Sequence, residues 1–176
     1  MPRLLAAEAA RVVAVSSVAR VQGRPVNPDD PNLEGSYDPW RAYGRSKLAN
    51  YHFGIGLQRE FEERGLSAMS FVSHPGLSRT NLQVKTVELG GGGKAAGFFE
   101  NLAARRGMEP DFGALSQIRA ATEEYPDPHR LYAPRGGIGG PPKKKLMLRP
   151  FNAAAIERLW AMSEQLTGEK LFSQVD

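Results

Sequence analysis

Ser67-Ala68-Met69-Ser70-Phe71-Val72 decides the fold, because of what stands on either side of it. It is a short, mostly apolar run closed by His74-Pro75-Gly76, and it reads as a strand buried on both faces. Ahead of it, from about Tyr43 to Arg64, the chain offers a long helix that stops at Gly65, a residue suited to the left-handed position after a helix end. Further upstream, Arg11-Val12-Val13-Ala14-Val15 is a second buried strand, β-branched and ending abruptly at Ser16-Ser17. Strand, long helix, strand is a βαβ crossover. It predicts an α/β protein with a parallel sheet and helices on both faces.

Working outward, Leu4 to Ala10 reads as the end of a helix, and Gln22 to Pro39 is dense in Pro, Asp, Asn and Gly and reads as loop. The apolar residues of the 43–64 helix, Leu48, Tyr51, Phe53, Ile55, Leu57 and Phe61, spread over more than one stripe. A helix apolar on two sides is covered on two sides, by its own sheet and by a second subunit. Asn81 to Gly107 is irregular, with glycines at 90–93 as a hinge or loop and a helix over Ala95 to Arg106. Phe112 to Glu124 is another helix, Leu131-Tyr132 opens a loop running through Pro142, and Asn152 to Thr167 is the last helix, stopped by Gly168. In that helix Ile156, Leu159, Trp160, Ser163 and Leu166 share one face, with Trp160 in the core. No internal repeat divides the chain, so 1–176 is read as one unit.

The composition excludes several function classes. An apolar share of 41% with 24% charged residues fits one globular unit of ordinary make-up. No stretch approaches the roughly 18 apolar residues of a membrane span, and Met1 to Ala10 lacks the layout of a secretory signal. With no cysteine, disulfide frameworks and thiolate zinc sites are out. The expected location is the cytoplasm. A net charge of +4 raises the question of an anionic partner, but the basic residues are scattered and only Lys143-Lys144-Lys145 forms a run, in what reads as a surface loop. Basic and aromatic residues are not interleaved, so nucleic-acid binding is not expected. His52 reads as a surface or interface residue, His74 as a residue that orders its loop, and His129 as part of a polar loop. Their spacing makes no metal motif.

Chemistry concentrates at Tyr43 and Lys47. Four residues apart near a helix start, their side chains share one face. A free phenol is a poor base at neutral pH, and a neighbouring ammonium favours the phenolate. Such a pair can act as acid or base beside a carbonyl. A hydroxyl to hold the substrate oxygen is available from Ser16 or Ser17, at the carboxyl end of a strand, where open α/β sheets bind ligands.

The ordered set resembles the short-chain dehydrogenase/reductase family. Val13-Ala14-Val15-Ser16-Ser17-Val18-Ala19 is similar to its fifth strand with the active-site serine, and Trp40-Arg41-Ala42-Tyr43-Gly44-Arg45-Ser46-Lys47-Leu48-Ala49-Asn50 to its catalytic helix. His74-Pro75-Gly76-Leu77-Ser78-Arg79-Thr80 is similar to the segment beside the nicotinamide, and 159–168 to the last helix of bacterial members. The long, Asn- and Asp-rich interval from serine to tyrosine most resembles the branch of retinol dehydrogenases and their actinobacterial relatives. The resemblance implies the C-terminal part of a doubly wound, Rossmann-type parallel sheet. It implies an NAD(P)-dependent oxidoreductase that interconverts an alcohol and a carbonyl. Tyr43 would exchange the proton, Lys47 would assist Tyr43 and bond the nicotinamide ribose, and Ser17 rather than Ser16 would polarise the substrate oxygen. Pro75 and Gly76 would shape the nicotinamide site and Thr80 would bond its carboxamide or the phosphates. Residues 84–110 would form the substrate lid, and the 43–64 helix would carry any homo-oligomer contact.

The departures are equally specific. The family begins with a strand and a glycine-rich turn that hold the pyrophosphate, followed by a residue that chooses NAD or NADP. Neither has a counterpart here, nor does the family's active-site asparagine. Asn50 reads as a packing residue instead. The glycines at 90–93 follow no strand and are no substitute. The expectation is the catalytic half of the family domain without its N-terminal strands. The alternative is a truncated, non-catalytic fragment that does not bind the dinucleotide by itself.

Overall fold

The computed structural model describes residues 1–35, 37–79, 101–102, 105–147 and 152–172. The chain opens with a single helical turn, α1 (Pro2–Leu5), and enters β1 (Arg11–Val15). A short 3-10 helix, Val18–Val21, follows directly after Ser17. The long helix α2 (Pro39–Glu63) leads to β2 (Met69–Ser73). After it come α3 (Pro110–Thr122), β3 (Leu131–Pro134), β4 (Pro142–Lys145) and α4 (Ala153–Thr167). The sheet runs in the order β1-β2-β3-β4. The first three strands are parallel, with Val13 opposite Phe71 and Val72 opposite Leu131, and β4 is antiparallel to β3.

Helices cover both faces, and the alternation of strand side chains shows how. Val72, Leu131 and Ala133 point to one face and pack with Leu48 and Tyr51 of α2. Phe71 and Tyr132 point to the other, where Ala120 of α3 meets them and Val13 joins the cluster. A third cluster binds the far half of α2, through Leu57 and Phe61, to Ala10, Ala68 and Trp160. This is the doubly wound, mostly parallel α/β architecture of Rossmann type expected from the crossover.

Local chemistry fixes α2. Asp38 caps it by accepting a bond from the Arg41 amide at 2.7 Å, and Pro39 occupies its first turn. The helix therefore starts one turn earlier than the Tyr43 read from the sequence. Gly54 in mid-helix costs about 1 kcal/mol of helix propensity relative to Ala. The sheet explains it, since a Cβ at Gly54 would lie 2.7 Å from Val72 and 3.1 Å from Ala14. Gly56 does the same for α4, where a Cβ would lie 2.7 Å from Ile156 and 2.8 Å from Trp160. The two apolar sides of α2 are thus covered by the sheet and by α4. The buried Arg45 guanidinium donates to the carbonyls of Asp30 (2.8 Å) and Pro31 (3.1 Å), pinning the polar 22–38 loop to α2.

Several expectations need correction. The Leu4–Ala10 helix end is instead the turn Pro2–Leu5. The stretch ending in Lys143-Lys144-Lys145 is not a loop but strand β4. Its pairing comes from β3, a tertiary partner that local composition does not reveal. The lysines suit the edge they occupy, because charge discourages further strand pairing. His52 is buried, not a surface residue, and Trp160 is half-buried, stacked on Phe53 with ring centroids 5.5 Å apart. Leu166 is exposed. Helix α3 begins at Pro110 and ends at Thr122, two residues before the expected stretch at each end. Of the expected helix over 95–106, residues 101–102 and 105–106 are described and helical. The glycines at 90–93, Thr80 and most of the expected 84–110 lid lie outside the described residues.

Candidate active site

The carboxyl ends of β1 and β2 and the first turns of α2 meet around a cavity of about 470 Å³. Ser16 and Ser17 leave β1 in opposite directions, as alternation along an extended chain requires. Ser16 is buried, and its Oγ donates to the Lys47 carbonyl at 2.7 Å. Ser17 lines the cavity and caps the 3-10 helix, its Oγ accepting from the Ala19 amide at 3.2 Å. Tyr43 lines the same cavity. Lys47 lies one turn further along α2, its Nζ 5.7 Å from the Tyr43 ring centroid and 3.5 Å from the Val15 carbonyl. Burial holds the Lys47 ammonium below its ordinary range, since a charged group loses solvation there.

The opposite wall follows β2. Gly76 has φ +79, a left-handed backbone natural to glycine, and a Cβ there would lie 2.7 Å from the Ile138 carbonyl. The Gly76 amide donates to His74 Nδ1 at 3.0 Å, and the Leu77 amide donates to the Ile138 carbonyl at 2.8 Å. His74 thus orders its loop. Burial, and then the charges of Arg20 and Lys145, push its pKa down to about 4, so the ring is neutral with its proton on Nε2. The buried Arg20 donates to the Ser17 carbonyl at 3.0 Å and lies 4.9 Å over the Tyr51 ring, supporting the serine from below.

The structure therefore brings Ser17, Tyr43, Pro75 and Gly76 to one cavity, with Lys47 behind Tyr43. Ser16 is turned away from it. Sequence reading missed Trp40, Ser78 and Ile138 in the lining. Trp40 stands one turn ahead of Tyr43 and was recoverable from helical spacing. Among the described residues the buried Ser78 Oγ has no hydrogen-bond partner, which no sequence pattern signals. Asn50 is exposed rather than packed, and its amide donates to the Val15 carbonyl at 3.0 Å. Among the described residues, none that lines the cavity carries a formal charge. A separate recess of about 500 Å³ between α2 and α4 is lined by Arg59, Glu63, Arg64, Glu157 and Lys170 among others. It contains none of these hydroxyl groups. Among the described residues no cluster of side chains suits a metal ion, and no helix is long and apolar enough to cross a membrane.

No family model matches the chain. Human retinol dehydrogenase 14 is 46% identical over 72 residues, 41% of this chain and 20% of the relative. Dehydrogenase/reductase SDR family member 13 from Bos taurus is 30% identical over 171 residues, 96% of this chain and 42% of the relative. The crystal structure of an uncharacterized protein from Mycobacterium paratuberculosis superposes with a TM-score of 0.66 at 33% identity, over 91% of this chain and 51% of that one. The chain spans less than half the length of these two curated relatives. By sequence the chain is a relative of proteins named as short-chain dehydrogenases/reductases.

Proposed function

We propose that this chain takes part in the interconversion of an alcohol and a carbonyl with a nicotinamide dinucleotide. One observation carries the reading: Ser17 and Tyr43 line one cavity whose described lining is uncharged, with the half-buried Lys47 ammonium behind the phenol. Relatives named as dehydrogenases add to it. The apolar lining, with Val18, Trp40, Leu77 and Ile138, suits an uncharged and largely apolar substrate.

The nicotinamide end of the cofactor fits the residues present. Among the described residues Ser78 Oγ is a buried polar atom without a partner, and the His74 ring fixes the backbone at Gly76. Pro75, Gly76 and Lys47 would hold that end, with Thr80 added if the segment after Arg79 follows the family. The cofactor would supply or accept the hydride. Ser17 would donate its hydroxyl proton to the substrate oxygen and fix its position. Tyr43 would give its phenolic proton to that oxygen during reduction or take it during oxidation. Lys47 would stabilise the phenolate that results. Among the described residues no strand leads through a glycine-rich turn into a helix N-terminus, the arrangement that cradles a pyrophosphate. Binding of NADH or NADPH by this chain alone is therefore expected to be millimolar or weaker.

The test is turnover of an aldehyde and alcohol panel at millimolar nucleotide, followed by nicotinamide absorbance. Tyr43→Phe should lower the rate at least about 10²-fold. A wild-type chain with no turnover across the panel would favour the non-catalytic alternative, and a Tyr43→Phe variant as fast as wild type would remove Tyr43 from its role.

A further inference from the structure

Asn50 stands one turn beyond Lys47 on α2. It is exposed, yet its amide is committed to the Val15 carbonyl at 3.0 Å. That oxygen has an unusual place. The Met69 amide bonds the Ala10 carbonyl and the Ser16 amide bonds the Ser73 carbonyl, so even-numbered residues of this segment turn their backbone groups toward β2. By alternation the odd-numbered Val15 presents its carbonyl to the opposite edge, where, among the described residues, no strand pairs. Two donors from α2 reach it there: Asn50 Nδ2 at 3.0 Å and Lys47 Nζ at 3.5 Å. The first is a well-formed hydrogen bond and the second is at the limit of one. Meanwhile Ser16 Oγ, through the Lys47 carbonyl, anchors the lysine backbone.

We propose that Asn50 is a positioning residue for Lys47: by occupying the Val15 carbonyl it keeps the ammonium from binding there in full and leaves its N–H donors facing Tyr43. A bare carbonyl at the end of β1 would be the nearest strong acceptor for a half-buried ammonium, and charge-assisted bonds of this kind are short and strong. With Asn50 seated first, the ammonium stays loosely held beside the phenol. The consequence for catalysis rests on the alcohol–carbonyl reading above, but the positioning itself does not need turnover to be seen.

The experiment follows the Lys47 side chain by NMR through a pH titration, using lysine-labelled full chain. Asn50→Ala should draw the ammonium onto the Val15 carbonyl and raise the Lys47 midpoint by about half a unit to one unit. Asn50→Gln, which keeps the amide donor, should restore most of the wild-type midpoint. Both substitutions are at an exposed helix position and should leave the fold intact. A Lys47 titration that is the same in wild type and Asn50→Ala overturns the proposal, whatever happens to the melting temperature. If the midpoint moves while no variant shows turnover, the positioning stands and the oxidoreductase reading falls.

Discussion

Two tyrosines of this chain stand in opposite surroundings. Tyr132, in the middle of β3, is buried and edge-on to Phe71 with ring centroids 5.6 Å apart. Its hydroxyl donates to Glu123 at 2.9 Å and accepts from the Asp127 amide at 2.9 Å. Burial first, and then the Glu123 carboxylate, push its pKa up to about 12, against the opposing pull of the Asp127 amide. Glu123 is in turn held by Arg119 at 2.6 Å and Lys144 at 3.4 Å. Burial alone would raise the carboxyl, but these bonds outweigh it and keep Glu123 ionised below the usual range. Tyr43 has the reverse surroundings, an open cavity in front and an ammonium behind. A phenol whose donor and acceptor places are both filled fastens β3 to the end of α3. The Tyr43 phenol lines a cavity beside a cation, the setting that the proposed proton exchange requires.

The contrast can be broken from either side. Tyr43→Phe is expected to remove about 10²-fold or more of any turnover while changing stability by roughly 0.5 kcal/mol or less, checked by parallel rate and urea-unfolding measurements. His74 joins the two regions, its amide bonding the Tyr132 carbonyl and its ring the Gly76 amide. Because its folded pKa of about 4 lies below the ordinary 6.5, the unfolded chain takes up the proton first. Stability should therefore fall as pH drops from about 6.5 toward 4, by roughly 2–3 kcal/mol, and His74→Asn should flatten that slope in acid unfolding curves. Tyr132→Phe should cost about 1 kcal/mol, since the part-buried Asp127 amide loses its acceptor, with turnover unchanged. Lys144→Ala, at a partly exposed edge, should cost only about 0.5 kcal/mol. Equal stability losses for Tyr43→Phe and Tyr132→Phe would erase the distinction.

Much of this arrangement was legible in the residues. Val13 to Ser17, Ser67 to Val72 and the helix between them gave the crossover because a strand buried on both faces needs continuous apolar residues. Asn152 and Gly168 marked the last helix at both ends, as its cap bond at 3.1 Å and the left-handed φ of +71 show. The spacing of Tyr43 and Lys47 on one helix face was equally plain. What escaped depends on contacts made across the chain. Strand β4 exists because β3 offers it an edge, and three successive lysines carry no strand signal of their own. His52 is buried although its type and position suggested a surface or interface residue. Asn50 was read as packing, and only the direction of the Val15 carbonyl discloses its bond. Ser78 joined the site through a missing partner, which sequence cannot express.

The walls of the cavity come from stretches as distant as Ser17 and Ile138. An unfolded chain therefore has no such enclosure, and a compound that fills it can associate only with the native state. Its affinity then reappears as heat resistance. At a concentration of one hundred times its dissociation constant, an occupant would add about 2.7 kcal/mol to the unfolding free energy. A thermal-shift screen of apolar aldehydes, ketones and alcohols thus reads the preference of this enclosure directly, without any turnover being required.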